Sequence, residues 1–448
     1  MKPKHFDLYI NSKIPPFKKI ITVDSDKSQS IRSFIIGSIS QGLTTAKNIL
    51  ESDDVKSTIL ACKKLGIKII KIKHGSYKIF GKGLGSFTAK KNTLLNFGNS
   101  GTLARLLIGA LTSNPNIQIK IDGDHSLRKR SMKKLINLMR KFGAYFLPSN
   151  KFKFPLKMIS SRFPIGIKYE AGVSAQLKSA VILAGLNSYG DTIIKEQIRS
   201  RDHTEKILKK NTKAIKIKDG KKKIIYVSGK KTLKPLSINV NGDPSSAAFF
   251  TALTILNKES YLKIKNVGFN PTRIGFYEIL KKQKAKIKTF NFKKINDEIC
   301  CDIIVKSSKL KSISVPGKFY AKMADEYPIL FVCAALSYGT SVFRNIGDLI
   351  SKESNRILEM QKILAQIGVR SIAKKDELKI IGKGMINAKN KKIFVKNLGD
   401  HRICMSAFVL SILTGAKTSI KNFDTVFTSS PSFLKIMKSL GAKFEIQK

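Results

Sequence analysis

No apolar run in this 448-residue chain is long enough to cross a bilayer. The longest, Tyr327 to Leu336, falls well short of the roughly 20 residues a spanning helix needs and reads as a buried helix. The first residues, MKPKHFDLYINSK, lack the apolar core of a signal peptide, so the expected compartment is the cytoplasm. Cysteines number five, none in a CxxC pair, and adjacent Cys300 and Cys301 are poorly placed to bridge each other. They read as reduced, packed thiols rather than a disulfide framework. The five histidines are scattered, with no His-x-x-x-His or His–Cys cluster, so neither a zinc site nor any other metal is expected. Acidic residues are scarce, 30 against 84 basic ones, for a formal charge of +54. Such a charge would suit a nucleic-acid binder. The lysines, however, run evenly from end to end, without a basic tail or an aromatic–basic signature. The reading is a lysine-rich composition whose positive field helps anionic substrates arrive.

Arginine is informative because it is rare. Only thirteen of the basic residues are Arg. A chain that uses Lys by default has reason to use Arg where a planar fork must grip a carboxylate or phosphate. Arg32, Arg105, Arg130, Arg201, Arg356 and Arg402 all lie in Gly-, Ser- or Asp-rich motifs, which points to an anionic ligand.

The length calls for two domains. A weak internal repeat gives them form: a helix ends in a small-residue turn and leads into a β-rich run. It occurs at Gly66, Gly143, Gly368 and Gly441, with degraded copies near Lys213 and Lys284, spaced 70 to 84 residues apart. Repeats of this length that mix strands and helices suggest a duplicated α/β unit, three copies per domain. The seam falls where Ser237 to Asp243 leaves a strand and enters a helix.

Several helices start just after small or polar turns. Asp24 to Arg32 precedes an apolar run, and Phe97 to Thr102 precedes a helix with Leu103, Leu106, Leu107, Ala110 and Leu111 on one face. Helix starts offer free N–H groups and a favourable dipole to anions, and Gly101 permits close backbone approach. Each motif alone is equally compatible with an ordinary capped helix. Asp124 to Arg130, Gly172 to Lys178 and Arg201 to Glu205 add polar clusters, in which Arg128 and Lys178 could equally be solvated. In the second half, Asp325-Glu326 sits within what reads as one apolar helix, where a carboxylate suits a general base. An N-capping pair is the alternative. Lys352 and Arg356, four apart, share a helix face in this reading. Gly399 to Arg402 opens another helix.

Taken in order, these motifs resemble those of the 5-enolpyruvylshikimate-3-phosphate synthase family. DKSQSIR, FGNSGTLAR, GDHSLRKRSM, VSAQLKSA, GDPSSAAFF, ADEYPI, SKESNRI, GDHRICM and TSSPSF all follow the family order. SAQLK, RDHTE and NPTR further resemble the family's second class, many of whose members tolerate glyphosate. The glycine at position 101 points the other way.

The resemblance implies an α/β enolpyruvyl transferase fold: two domains, each of three inverse α/β repeat units. One domain would be 1–22 plus 242–448 and the other 23–241, with the active site in the cleft between them. The substrates would be shikimate 3-phosphate and phosphoenolpyruvate, with no cofactor, no metal, no nucleic-acid or membrane partner, and a monomeric enzyme. Contacts to shikimate 3-phosphate would fall on Lys27, Ser28, Arg32, Ser174, Ala175, Gln176, Arg201, Asp325 and Lys352. Those to phosphoenolpyruvate would fall on Lys27, Gly101, Arg130, Gln176, Arg356 and Arg402, bordered by Asn99 and Arg105. Asp325, Glu353 and Lys27 would be the proton-transfer groups. The chain departs from the family pattern at Asp24-Ser-Asp26, where many members have Pro-Gly-Ser, and at Ser131, Ile350, Asn355, Thr428 and Ser430, the last standing for a phenylalanine. Two other readings compete. A related transferase acts on UDP-N-acetylglucosamine, but it usually has a Lys-Asn start and a loop cysteine, neither of which occurs here. An RNA-binding protein on a similar fold would need a contiguous basic groove and aromatic platforms.

Overall fold

The computed structural model describes residues 5–447. The chain divides into two compact units. One comprises Met1–Asp24, Gly242–Lys293 and Ile299–Lys448, and the other Ser25–Asn241 with Lys294–Glu298. The first crossing thus falls after Asp24 rather than after residue 22. Residues 294–298, expected with the 242–448 segment, group instead with the 25–241 unit. The cause is local bonding: the Glu298 carboxylate lies 2.6 Å from His203 Nδ1, and Asn296 accepts from the Asn239 N–H.

Among the described residues, each unit holds three four-stranded sheets of one design, a parallel pair followed by two antiparallel neighbours. In the first, Gln41–Lys47 runs parallel to Ser237–Asn239 and antiparallel to Ser76–Lys82, which pairs with Lys68–Lys73. The start of the chain completes two sheets of the unit that also holds the C-terminus. Lys18–Thr22 pairs with Tyr261–Gly268, and Asp7–Ile10 with Lys417–Ile420. The repeat turns read from sequence are real at four positions, where Gly66, Gly143, Gly368 and Gly441 take positive φ. That conformation costs glycine nothing. Lys284 takes it without being glycine, whereas near Lys213 the chain leaves the helix through extended Thr212.

Six helices are numbered here in chain order: α1 (Lys27–Ile39), α2 (Gly101–Thr112), α3 (Ala175–Leu186), α4 (Pro244–Leu256), α5 (Tyr327–Ala335) and α6 (His401–Thr414). All are buried on nearly every side. The single apolar face expected for α2 is a correction in point: every residue of it is buried except Arg105, because α3 packs directly on it. A Cβ at Gly109 would lie 2.5 Å from the Ala180 carbonyl oxygen, so only glycine lets the two backbones come this close. None of the helices is long and apolar enough to cross a membrane among the described residues. All five cysteines are buried and unbridged.

Two local readings need correction. Asp325 and Glu326 do not lie inside one helix. They stand between a short helix, Tyr320–Met323, and α5, which begins at Tyr327 because Pro328 is tolerated only in a first turn. Lys352 and Arg356 do not share a helix face either. Asn355 caps the helix Arg356–Gln366 through Leu358 N–H, which leaves Lys352 in the preceding non-helical segment.

Candidate active site

The expected site residues concentrate at the N-termini of the numbered helices. Five of the six caps are side-chain bonds: Asp26 to Gln29 N–H, Ser100 to Leu103, Ser174 to Leu177, Asp243 to Ser245 and Asp400 to Arg402. Capping fixes where each helix starts and aims its remaining N–H groups and positive dipole end outward.

In the 25–241 unit, the start of α2 forms a cationic cradle. Gly101 has no side chain, and a Cβ there would lie 2.7 Å from Arg105 Nη1 and 3.1 Å from Arg130 Nη1. Arg105 donates to Gln176 Oε1 at 2.8 Å, and Gln176 donates to Thr102 Oγ1 at 2.9 Å, which ties the first turns of α2 and α3 together. Arg130 donates to Asn99 and to Ser126 Oγ. Gly101, Arg130 and Gln176 are therefore brought together, and Arg105 and Asn99 belong with them.

The other residues of this unit sit on α1, on α3 or next to α3. Lys27 Nζ lies 3.0 Å from Asp54 Oδ2. Arg32 is almost fully buried; it donates to Thr204 Oγ1, Ser179 Oγ and the Ser28 carbonyl, so it joins α1 to α3 and to the helix His203–Asn211. Ser174, Ala175 and Arg201 are partly exposed. Of the two residues that could have been solvated, Arg128 is, but Lys178 is 0% exposed. Arg128 pairs with Asp122 and still stays half exposed, whereas Lys178 is enclosed between two buried carboxylates, Glu196 and Glu205, each at 2.8 Å.

In the other unit, Arg356 is the organiser. Only 1% exposed, it donates to Glu353 Oε2 at 2.6 Å and to Asp400 Oδ2 at 3.0 Å, and lies 3.6 Å from Asp325 Oδ1. Asp400 is fully buried; it also accepts from Ser354 Oγ and from the Arg402 N–H at the start of α6. Burial works against the Arg356 charge, but Asp400, Glu353 and Asp325 outweigh it and raise the guanidinium further above its ordinary range. Asp325 and Glu353 thus gather on the Arg356 guanidinium, and Asp400 links Arg356 to the start of α6 at Arg402. The Arg402 side chain is buried over the Phe249 ring of α4. Lys352 is held by Asp348 at 2.9 Å, and Asp348 accepts from Tyr320 as well. Burial and then the Asp348 charge push the Tyr320 phenol well up, which keeps it a donor.

Sequence reasoning missed Asp54, Asp348, Glu196 and the Ser179–Thr204 pair. Asp54, Asp348 and Glu196 lie in no motif, and although Ser179 and Thr204 lie in VSAQLKSA and RDHTE, nothing in either run shows that the two meet. Of the departures, Asn355 caps its helix as an aspartate would, and Thr428 Oγ1 donates to the Thr425 carbonyl.

A family model described as EPSP synthase (3-phosphoshikimate 1-carboxyvinyltransferase) matches residues 12–437. The chain is 36% identical over 449 residues to the 3-phosphoshikimate 1-carboxyvinyltransferase of Zymomonas mobilis, covering 99% of each. It is 37% identical over 424 residues to that of Paramagnetospirillum magneticum, covering 94% of each. Among solved structures, EPSP synthase from Acinetobacter baumannii superposes with a TM-score of 0.84 at 33% identity, over 99% of this chain and 100% of that one. The enolpyruvyl transferase NikO from Streptomyces tendae, at 11% identity and a TM-score of 0.75 over 99% and 98% of the two chains, shares the fold.

Proposed function

Because the chain belongs to the EPSP synthase (3-phosphoshikimate 1-carboxyvinyltransferase) family, we propose which of its residues carry the family's reaction. The enzyme transfers the enolpyruvyl group of phosphoenolpyruvate to the 5-hydroxyl of shikimate 3-phosphate and releases phosphate, on the route to chorismate and the aromatic amino acids.

The chemistry sets the requirements. The methylene carbon of phosphoenolpyruvate gains a proton while the hydroxyl oxygen attacks the neighbouring carbon. The resulting tetrahedral species then loses phosphate and the added proton's equivalent, which restores the double bond. This needs a base at the hydroxyl, an acid at the methylene and fixed cations around two highly charged molecules. The cradle of Gly101, Arg105 and Arg130 carries the reading, because two guanidinium groups converge within about 3 Å of one point at a helix N-terminus, an arrangement suited to a phosphate or carboxylate. Phosphoenolpyruvate occupies that cradle with Lys27, Gln176, Arg356 and Arg402. Shikimate 3-phosphate takes Lys27, Ser28, Arg32, Ser174, the Ala175 backbone, Gln176, Arg201, Asp325 and Lys352. One chain supplies every group named, as a cytoplasmic monomer would.

Asp325 acts as the base. Its place 3.6 Å from Arg356 supports the ionised form a base requires. Glu353 and Lys27 are the candidates for the acid. Glu353 accepts from Arg356 through one oxygen at 2.6 Å, and it must take up a proton before it can give one. Lys27 is the alternative, with its Nζ 3.0 Å from Asp54 Oδ2.

The test is phosphate release from phosphoenolpyruvate by purified protein. Release should require shikimate 3-phosphate, persist in chelator, and fall at least about 100-fold in Asp325→Ala. Near-normal turnover in both Asp325→Ala and Glu353→Ala would sink the assignment. Absence of release from folded wild-type protein would redirect the search to UDP-N-acetylglucosamine.

A further inference from the structure

The segment that carries Arg201 has no regular secondary structure of its own. The strand Asp191–Glu196 ends just before it, and the helix His203–Asn211 begins two residues after it. Such a segment needs partners other than a sheet or helix ladder to hold its backbone. Here a buried side chain supplies them. Glu196 Oε1 accepts from the Ser200 N–H at 2.8 Å and from Ser200 Oγ at 2.6 Å. Lys178 Nζ donates to the same oxygen at 2.8 Å and lies 3.4 Å from the Ser200 carbonyl. Ser200, the residue immediately before Arg201, is thereby bonded through its N–H, its hydroxyl and its carbonyl.

The far side of the segment is held in the same way. Lys178 Nζ also meets Glu205 Oε1 at 2.8 Å, and Lys223 approaches that oxygen at 3.5 Å. Thr204 Oγ1 bonds Ser179 Oγ, and His203 bonds Glu298. The clamp starts from α3, whose cap is Ser174 and whose first turn carries Gln176, four and two residues before Lys178.

Lys178, Glu196 and Glu205 are at most 1% exposed. Stripping water from three charges is costly, and a well-packed apolar cluster of the same volume commonly serves stability equally well. What an apolar cluster cannot do is fix the direction of a loop through several convergent bonds.

We propose that Lys178 and Glu196 are positioning residues for shikimate 3-phosphate, holding Arg201 in register with Ser174 and Gln176 at the start of α3. They touch no substrate; they act through Ser200 and through the helix. This rests on the assignment of Arg201, Ser174 and Gln176 to that substrate. The effect passes through Ser200 to Arg201, which is not part of the Gly101 cradle, while Gln176 keeps its own bonds to Arg105 and Thr102 there.

The experiment compares wild type with Lys178→Met, Ser200→Ala and Glu196→Gln in the two-substrate phosphate-release assay, alongside shikimate 3-phosphate binding followed by intrinsic tyrosine fluorescence or calorimetry. Circular dichroism and thermal melts identify the folded variants. The KM and Kd for shikimate 3-phosphate should rise about 10- to 100-fold in Lys178→Met and about 3- to 10-fold in Ser200→Ala, with the KM for phosphoenolpyruvate within about 2-fold of wild type. Glu196→Gln, which keeps the acceptor for Ser200, should lie closer to wild type than Lys178→Met does. A general loss of structure would instead move both KM values or kcat alone, and either result in a folded variant overturns the proposal. If Lys178→Met does not fold, Ser200→Ala decides: an unchanged KM and Kd for shikimate 3-phosphate overturns it. Wild type that releases no phosphate with both substrates overturns the functional reading beneath it. Normal wild-type turnover with unmoved variants overturns this proposal alone.

Discussion

Asp24 and Ser430 are hydrogen-bonded to each other. The Asp24 carboxylate accepts from the Ser430 hydroxyl at 2.9 Å and from the Ser432 N–H at 3.0 Å, across 406 and 408 residues of sequence. Both positions depart from the family pattern, and they depart together. A hydroxyl in place of a phenylalanine supplies the donor that a half-buried carboxylate needs.

Asp24 should limit stability at neutral pH. Burial is the largest influence on its carboxyl and holds it above the ordinary 3.8, against the bonds from Ser432 and Ser430; nearby Asp243 adds to the rise. The folded state therefore grips this proton more tightly than the unfolded chain. Stability from this group falls as pH climbs from 3.8 through the raised folded value, and the penalty is constant above that. Asp24→Asn keeps an acceptor and removes the charge. Its melting temperature should exceed that of wild type by about 1–3 °C at pH 7, with the gain vanishing toward pH 3.8. Thermal melts of the two proteins across that range check it.

Glu298 should behave in the opposite sense. Burial tends to raise its carboxyl, but His203 and Lys206 outweigh burial and hold it below the ordinary 4.5. A depressed carboxyl contributes stability fully above 4.5 and loses it as pH falls through the folded value. Glu298→Gln should melt about 2–4 °C below wild type at pH 7. That deficit should narrow in acid, and a deficit that stays constant down to pH 3 would contradict the linkage.

Gly101→Ala should select against phosphoenolpyruvate. The new methyl would sit 2.7 Å from Arg105 Nη1 and 3.1 Å from Arg130 Nη1. The guanidinium ends can swing away, so the fold survives, but the cradle widens. The KM for phosphoenolpyruvate should rise about 10-fold while that for shikimate 3-phosphate changes less than about 2-fold, in steady-state kinetics with each substrate varied in turn.

Arg356→Lys should lower kcat about 100- to 1000-fold. A single ammonium cannot reproduce the fork that meets Glu353, Asp400 and Asp325 together. The variant should also melt lower, because Asp400 is fully buried and loses its two-point partner. Wild-type kcat in this variant would mean that the three carboxylates are organised by something else.

Local chemistry was legible in the sequence. Asp26, Ser100, Ser174, Asp243 and Asp400 cap helices within two or three residues of themselves, and four of the repeat glycines take the positive φ that ends a repeat helix. These are short-range effects, so a run of a few residues carries them. For the same reason the six-fold repeat, the α/β class and the motif order could be read directly, and with them the arginines that gather at helix starts. Pairings between distant elements could not be read this way. Nothing near Lys178 announces that Glu196 and Glu205 will close over it, so a surface position was as good a reading as a buried one. The same holds for Lys27 with Asp54 and for Arg356 with Asp400, 44 residues on. Even Asp325, whose apolar surroundings suggest a helix interior, precedes the helix, which begins at Tyr327. The tertiary structure decided these because burial is set by what packs against a residue. A charge's partner, and so its role, is fixed only when the helices that carry the two groups meet.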